Sequence, residues 1–231
     1  PWFHLFTGAK LIWLCVQQFF RAGGNAFYLT WCATFLHKVY GLDVKTAAKC
    51  TSLPLAGVVL GSLVGGIISD RVLRKTGKKI FARNGVTIVS SAVGVSCFVL
   101  AWLMPYGYVW ALVLITSAAF FTSMGNPCAY SATMDVSGSH PAVVFGAMNM
   151  AGNIGAALFP LVVPVVLNLV WINTAGPVSE VMYPLAAPLV KSFVGWREIL
   201  LLVGGVYLLG LLCWLMLNPN GTVLDEKRAD S

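Results

Sequence analysis

The chain has 231 residues, of which 58% are hydrophobic and only 10% are charged, and its formal net charge is +7. A soluble domain carries about 25% charged residues, so this composition excludes an ordinary soluble domain and indicates a membrane protein. Because six of the 15 Lys and Arg residues lie between Asp70 and Arg83, we attribute the positive charge to membrane topology and expect no nucleic-acid partner.

A helix of about 20 apolar residues crosses the bilayer core, and the sequence predicts six such spans. They cover residues 10–36, 51–69, 84–103, 108–134, 142–171 and 196–217. We therefore expect an all-α membrane protein with a six-helix bundle over residues 1–217 and a polar tail over 218–231. With the N-terminus on the cytoplasmic side, nine Lys and Arg residues lie inside and five outside, which favours both termini being cytoplasmic.

The first predicted span carries a stripe of polar residues. Gln17, Arg21, Asn25 and Tyr28 follow one another at intervals of four, four and three, which places them on one helix face. A polar side chain that faces lipid is costly, so we expect this face to contact protein or a water-filled cavity. We interpret it as a cavity wall on which Arg21 attracts an anionic group. The alternative is an internal hydrogen bond or ion pair that holds helices together.

The second span and the segment after it carry two patterns. Gly57, Gly61, Gly65 and Ser69 recur every four residues, which predicts close helix contact. The basic segment 70–83 follows, and we expect it to be a short cytoplasmic loop. Its beginning, Gly-Gly-Ile-Ile-Ser-Asp-Arg-Val-Leu-Arg-Lys-Thr-Gly-Lys-Lys over residues 65–79, resembles the loop signature of the major facilitator superfamily. The resemblance implies a loop that latches the two halves of the carrier, formed here by Asp70, Arg71, Arg74, Gly77 and Lys78.

The fourth and fifth spans repeat the polar pattern. Ser123, Asn126, Tyr130 and Thr133 are spaced by three, four and three residues, and Pro127 beside Asn126 predicts a kink or opening of the helix. In the fifth span, Asn149 and Asn153 lie one turn apart among glycines. Two amides on such a face can bind a ligand or join neighbouring helices, and the sequence leaves both possibilities open.

Four further segments indicate a narrower family. Residues 147–155, Ala-Met-Asn-Met-Ala-Gly-Asn-Ile-Gly, resemble helix eleven of the anion:cation symporter family, which includes hexuronate, galactonate and sialic-acid carriers. Residues 18–22 with Thr30 and Trp31 resemble helix seven of that family. Asp135 followed by Pro141 resembles its loop after helix ten, and residues 195–219 resemble its last helix. The resemblance implies that the spans are helices seven to twelve, the C-terminal half of a major facilitator fold, and that Asn149 contacts substrate. The N-terminal six-helix half is then missing from this sequence.

This resemblance predicts a secondary active transporter, an ion-coupled symporter that moves a small organic anion such as a sugar acid by alternating access. We expect four partners: the anion, a coupling cation (proton or sodium), the lipid bilayer of a bacterial inner membrane, and the missing half. The candidate substrate-binding residues are Arg21, Asn25, Tyr28, Asn126, Tyr130, Asn149 and Asn153.

Two other functions compete with transport. A water or glycerol channel also has six spans, but its pore uses two Asn-Pro-Ala turns, and this chain has a single loose match at residues 126–128. A membrane enzyme would need a catalytic constellation, and the sequence has no Gly-x-Ser-x-Gly, His pair or Asp dyad at membrane depth. The six cysteines and three histidines are isolated along the chain, so we predict neither a metal site nor a cofactor.

Overall fold

The computed structural model describes residues 8–104, 107–174, 195–219 and 221, and this part of the chain is helical apart from short connections. Within it, five helices are long and apolar enough to cross a membrane. They cover Val44–Thr76, Phe81–Leu103, Gly107–Ser137, Pro141–Leu169 and Glu198–Met216. The predicted all-α membrane fold is therefore confirmed. The predicted tail and most of the loop 173–195 lie outside the described residues.

The first predicted span is a helix, α1 (Ala9–Thr30), that is absent from those five. Its Lys10 and Arg21, together with two glutamines, make it more polar than the other long helices, so its membrane crossing stays a prediction. After a break at Trp31, the chain continues as α2 (Cys32–Tyr40). The residues between the first two predicted spans, 37–49, are mostly helical, because α3 (Val44–Cys50) begins soon after α2 ends.

The basic segment 70–83 differs from the predicted loop. Helix α4 (Ser52–Thr76) runs straight through its first half and ends at Gly77, whose φ of 65° is the left-handed conformation that glycine tolerates best. The helix resumes at Lys79 and passes through a π-helical turn (Phe81–Gly85) into α5 (Val86–Leu103). Arginine and lysine are good helix formers, so their charge marks the end of the apolar surface but does not end the helix.

The fourth predicted span is two helices, α6 (Gly107–Ser123) and α7 (Gly125–Ser137), separated by a break at Met124. Pro127 in the first turn of α7 has no N–H to donate to the carbonyl of Ser123. The hydroxyl of Ser62 on α4 lies 3.3 Å from that carbonyl and 2.8 Å from the carbonyl of Val58, so its single proton is shared between the two acceptors. The predicted opening beside Pro127 is therefore present, and a side chain of another helix lies within hydrogen-bond reach of the backbone group that it frees.

The glycine face of α4 packs directly on α6 and α7. A Cβ at Gly61 would overlap the backbone of Phe120, and a Cβ at Gly65 would overlap the backbone of Met124. Gly57 lies against the carbonyl of Thr116 in the same way. The predicted close helix contact is confirmed at these three positions.

The last two described helices complete the bundle. They are α8 (Pro141–Thr174) and α9 (Glu198–Met216). Helix α8 packs on α1, α1 on α9, α9 on α5, α5 on α6, and α6 on α4. Helix α7 lies within reach of α1, α4 and α8. This arrangement brings the polar residues of α1 and α7 together.

Candidate functional site

The centre of the candidate site is the guanidinium of Arg21 on α1. Arg21 is 7% exposed, and its Nε and Nη2 atoms donate hydrogen bonds to Oε1 of Gln18 at 3.2 and 2.5 Å. Its Nη1 atom donates to Oδ1 of Asn126 on α7. The described residues contain no carboxylate within ion-pair distance of Arg21. The buried charge is thus held by neutral amide oxygens.

These contacts continue across four helices. Nδ2 of Asn126 donates to the hydroxyl of Ser62 on α4 at 2.9 Å. On the other side, Gly152 of α8 lies directly against the side chain of Gln18. We call Gln18, Arg21, Asn126 and Ser62 the Arg21 network. It connects α1, α4 and α7 and borders α8, as expected of a site built at the meeting point of several helices.

Tyr130 covers one side of this network. It lies one turn after Asn126 on α7, and its ring centroid is 5.8 Å from Cζ of Arg21, which is the distance of a cation–π contact. Its side chain is 42% exposed. Tyr130 is therefore the predicted site residue that both contacts the buried charge and reaches the surface of the described bundle.

Asn25 and Tyr28 point to a different part of the bundle. Oδ1 of Asn25 accepts a hydrogen bond from the hydroxyl of Tyr207 on α9 at 2.8 Å. Tyr28 is buried and stacks on Phe98 of α5. The polar stripe of α1 thus faces protein along its length, and a binding role for these two residues stays a prediction.

Asn149 and Asn153 lie on the exposed side of α8. Both amides were expected on a face lined by glycines, but the structure separates them from Gly152 and Gly155. Those two glycines are buried against Gln18 and the backbone of Phe19 on α1. The glycines let α8 approach α1 closely, and this packing leaves the two asparagines exposed.

A second polar cluster lies where α4 ends and α5 begins. Arg83 is buried, and its guanidinium is 3.4 Å from carboxylates of both Asp70 and Asp135. It also donates to the hydroxyl of Ser69 at 2.6 Å, while Lys79 pairs with Asp135 at 3.0 Å. We call these five residues the Arg83 cluster.

All five predicted latch residues are exposed, and of these Asp70 belongs to the Arg83 cluster. The other four are Arg71, Arg74, Gly77 and Lys78. Four residues of these two clusters are not among the predicted site residues, namely Gln18, Ser62, Arg83 and Asp135. The charge of Arg83 and Asp135 is visible in the sequence, but their pairing requires the π-helical turn before α5 to lie beside α7.

The described residues include no group of three or more His, Cys, Asp and Glu side chains that converge on a metal position. The chemistry available at the Arg21 network is therefore that of one fixed positive charge, amides and hydroxyls. Such a set can bind an anion and its hydroxyl groups.

Comparison with known proteins agrees with this chemistry. The chain is 31% identical to a probable sulfoacetate transporter of Cupriavidus necator over 163 residues. This alignment covers 70% of this chain and 37% of that protein. It is 28% identical over 166 residues to a probable galactarate/D-glucarate transporter of Bacillus subtilis, covering 71% of this chain and 36% of that protein. A hexuronate transporter of Bacillus subtilis is 31% identical over 148 residues, an alignment that covers 59% of this chain and 34% of that protein.

The fold has solved counterparts as well. The inward-facing, occupied structure of a bacterial homologue of the human lysosomal transporter Spinster superposes with a TM-score of 0.68. That match covers 91% of this chain and 49% of the other at 16% identity, so it supports the fold alone. The chain spans less than half the length of the curated relatives that it matches.

The family model described as Major Facilitator Superfamily matches residues 1–160. This match covers more than half of the chain, and it agrees with the resemblance carried by residues 65–79 and 147–155. It also agrees with the apolar helices of the fold, which indicate an integral, multi-pass membrane protein. The chain belongs to the Major Facilitator Superfamily.

Proposed function

We propose that this chain forms one six-helix half of a secondary active transporter that carries a small organic anion such as a sugar acid. The observation that supports this proposal most directly is the state of Arg21. Within the described structure its guanidinium donates hydrogen bonds to amide oxygens and contacts the ring of Tyr130, and no carboxylate neutralises its charge.

The burial of the Arg21 charge has a free-energy cost that a bound anion can offset. A buried charge costs several kcal/mol unless another charge compensates it, and amide dipoles compensate only part of that cost. A carboxylate or sulfonate that reaches Arg21 supplies the missing counter-charge and forms charge-assisted hydrogen bonds. Binding an anion is therefore favoured at this position, whereas a neutral sugar gains much less there.

The names of the relatives support the same class of substrate. Sulfoacetate, galactarate, glucarate and hexuronates are all small anions with at least one carboxylate. In our proposal Arg21 binds the anionic group, and Tyr130, Asn126, Asn149 and Asn153 contact the rest of the substrate. We keep Asn25 and Tyr28 as candidate substrate contacts, because they share the polar stripe of α1 with Arg21.

Transport would occur by alternating access between this half and an N-terminal six-helix half, with substrate held between them. The Arg83 cluster and the exposed basic residues beside it would latch the two halves on the cytoplasmic side. We propose a proton or sodium ion as the coupling cation. We place the protein in a bacterial inner membrane with both ends of this chain in the cytoplasm.

The channel alternative is not favoured by any observation on the described residues. Asn126, which would belong to a pore turn, has its side chain bonded to Arg21 and Ser62. The relatives above are named as transporters.

The test is uptake by the purified full-length protein in proteoliposomes. We expect saturable uptake of radiolabelled glucarate that excess sulfoacetate or glucuronate inhibits and excess glucose does not. Equal inhibition by glucose would contradict an anion site. Non-saturable flux with osmotic swelling would support the channel instead.

A further inference from the structure

An apolar groove of about 400 Å³ runs along the outside of the bundle between α4, α5 and α6. Its walls include Ile68 and Val72 on α4, Phe81 and Val89 on the α5 side, and Phe121 on α6. The lining is almost entirely apolar. A concave apolar surface surrounds a lipid acyl chain on more than one side. The chain therefore makes more van der Waals contacts there than on a flat surface.

Basic residues continue the groove beyond its apolar part. Nζ of Lys78 lies 5.7 Å from the ring centroid of Phe81, which itself lines the groove. Lys75 follows Ile68 by seven residues and Val72 by three, so it lies on the same face of α4 in the last turn of that helix. Both lysines are exposed, and neither is ion-paired within the described residues.

The groove and these two lysines together match an anionic phospholipid. We propose that this is a specific lipid site, in which an acyl chain fills the groove and the phosphate is bound by Lys75 and Lys78. The charge at the end of the groove selects an anionic headgroup, because a basic pocket between helices near the membrane surface attracts such lipids. The apolar walls select a lipid over a free phosphate ion.

A second groove in the same bundle provides the comparison. It holds about 320 Å³ between α4 and α6 and is lined by Leu53, Leu60, Thr116 and Phe120 among others. No basic side chain contacts a ring in its lining within the described structure. Within the described structure it therefore lacks a basic side chain held over one of its rings, and we expect it to bind lipids with less preference for an anionic headgroup.

The experiment is native mass spectrometry of the full-length protein in detergent, titrated with phosphatidylglycerol or phosphatidylcholine. We expect phosphatidylglycerol to bind more tightly to the wild type. The double variant Lys75→Gln/Lys78→Gln should weaken its binding by about 30-fold, from about fivefold per basic residue. Val89→Trp, at an exposed position in the groove, should remove the same adduct.

Matched controls separate this site from general effects. Lys45→Gln/Lys49→Gln removes two exposed lysines from α3, and Leu60→Trp fills the second groove, so neither should change phosphatidylglycerol binding. Equal binding of both lipids by the wild type would overturn the proposal. Displacement of the lipid by millimolar glycerol phosphate would overturn it too. So would retention of the adduct in Val89→Trp, which would mean that the lipid binds outside this groove.

Discussion

Arg21 on α1 and Asn126 on α7 are 105 positions apart in the sequence, yet the guanidinium of one donates a hydrogen bond to the amide oxygen of the other. The same asparagine donates to Ser62 on α4. One amide therefore joins three helices and leaves the charge of Arg21 without a counter-ion in the described structure. This contact is the internal hydrogen bond of the alternative interpretation of the polar stripe, and the attraction of an anion by Arg21 stays a prediction.

Replacing Arg21 tests whether its charge binds substrate. We expect Arg21→Ala to lower kcat/KM for uptake of glucarate by about 100-fold, because a hydrogen-bonded charge contributes about 1.5–3 kcal/mol. Arg21→Lys should keep part of the activity, since it keeps the charge but loses the planar fork. Uptake is measured in proteoliposomes, with exposed Lys45→Gln as the charge control. Wild-type kinetics in Arg21→Ala would show that the residue only joins helices.

A carboxylate placed beside Arg21 gives a sharper test. In Asn126→Asp, the new carboxylate would pair with the guanidinium and neutralise it. We expect uptake to be lost while the melting temperature of the purified protein stays the same or rises, because the fold keeps its contact between α1 and α7. Ser62→Ala is the control, since it keeps the charge of Arg21. It removes the hydroxyl that accepts from Asn126 and lies against the carbonyls of Val58 and Ser123, and each hydrogen bond lost costs about 0.5–1.5 kcal/mol. Normal uptake by Asn126→Asp would contradict the proposed anion site.

The sequence predicted the helical class and several contacts because those depend on local patterns. The four-residue spacing of Gly57, Gly61 and Gly65 identified a packing face without reference to its partner. Partners could not be predicted in this way. Nothing near Arg83 in the sequence indicates that its partner is Asp135, 52 residues later. Likewise, the exposure of Asn149 depends on which face of α8 packs on α1. The predicted end of the second span at Ser69 was also too early, because α4 continues to Thr76. The basic residues after Ser69 end the apolar surface, but they favour the helical conformation.

The glycine face of α4 makes a prediction about stability. Gly61→Ala puts a Cβ into the backbone of Phe120, which cannot move aside as a flexible side chain can. We expect a loss of about 1–3 kcal/mol, as for other overpacked interiors, seen as a lower melting temperature in detergent. Gly205→Ala on α9 is the matched control, because no atom lies within 4 Å of its Cβ position, and it should be neutral or slightly stabilising. Equal melting temperatures for the two variants would contradict the described packing.

The Arg83 cluster is expected to behave as a coupled unit. Arg83→Gln leaves Asp70 and Asp135 without their shared partner, and we expect a lower melting temperature together with reduced uptake. Adding Asp135→Asn should recover part of the loss, with a coupling free energy of about 0.5–3 kcal/mol, because the two residues interact directly. Exposed Arg74→Gln, whose side chain bonds only to the backbone of Asp70 in the described structure, should have little effect on melting. Additive losses in the double variant would show that the pair is not coupled.

Asn149 separates a binding role from a packing role, because its exposed amide makes no hydrogen bond within the described residues. Asn149→Ala should therefore leave the melting temperature unchanged. If the amide contacts a substrate hydroxyl, kcat/KM for glucarate should fall by about tenfold, which corresponds to about 1.4 kcal/mol. Its exposed neighbour Met150 is the control, and Met150→Leu should change neither quantity. A lower melting temperature with unchanged kinetics in Asn149→Ala would instead assign this residue to a contact that stabilises the assembled protein.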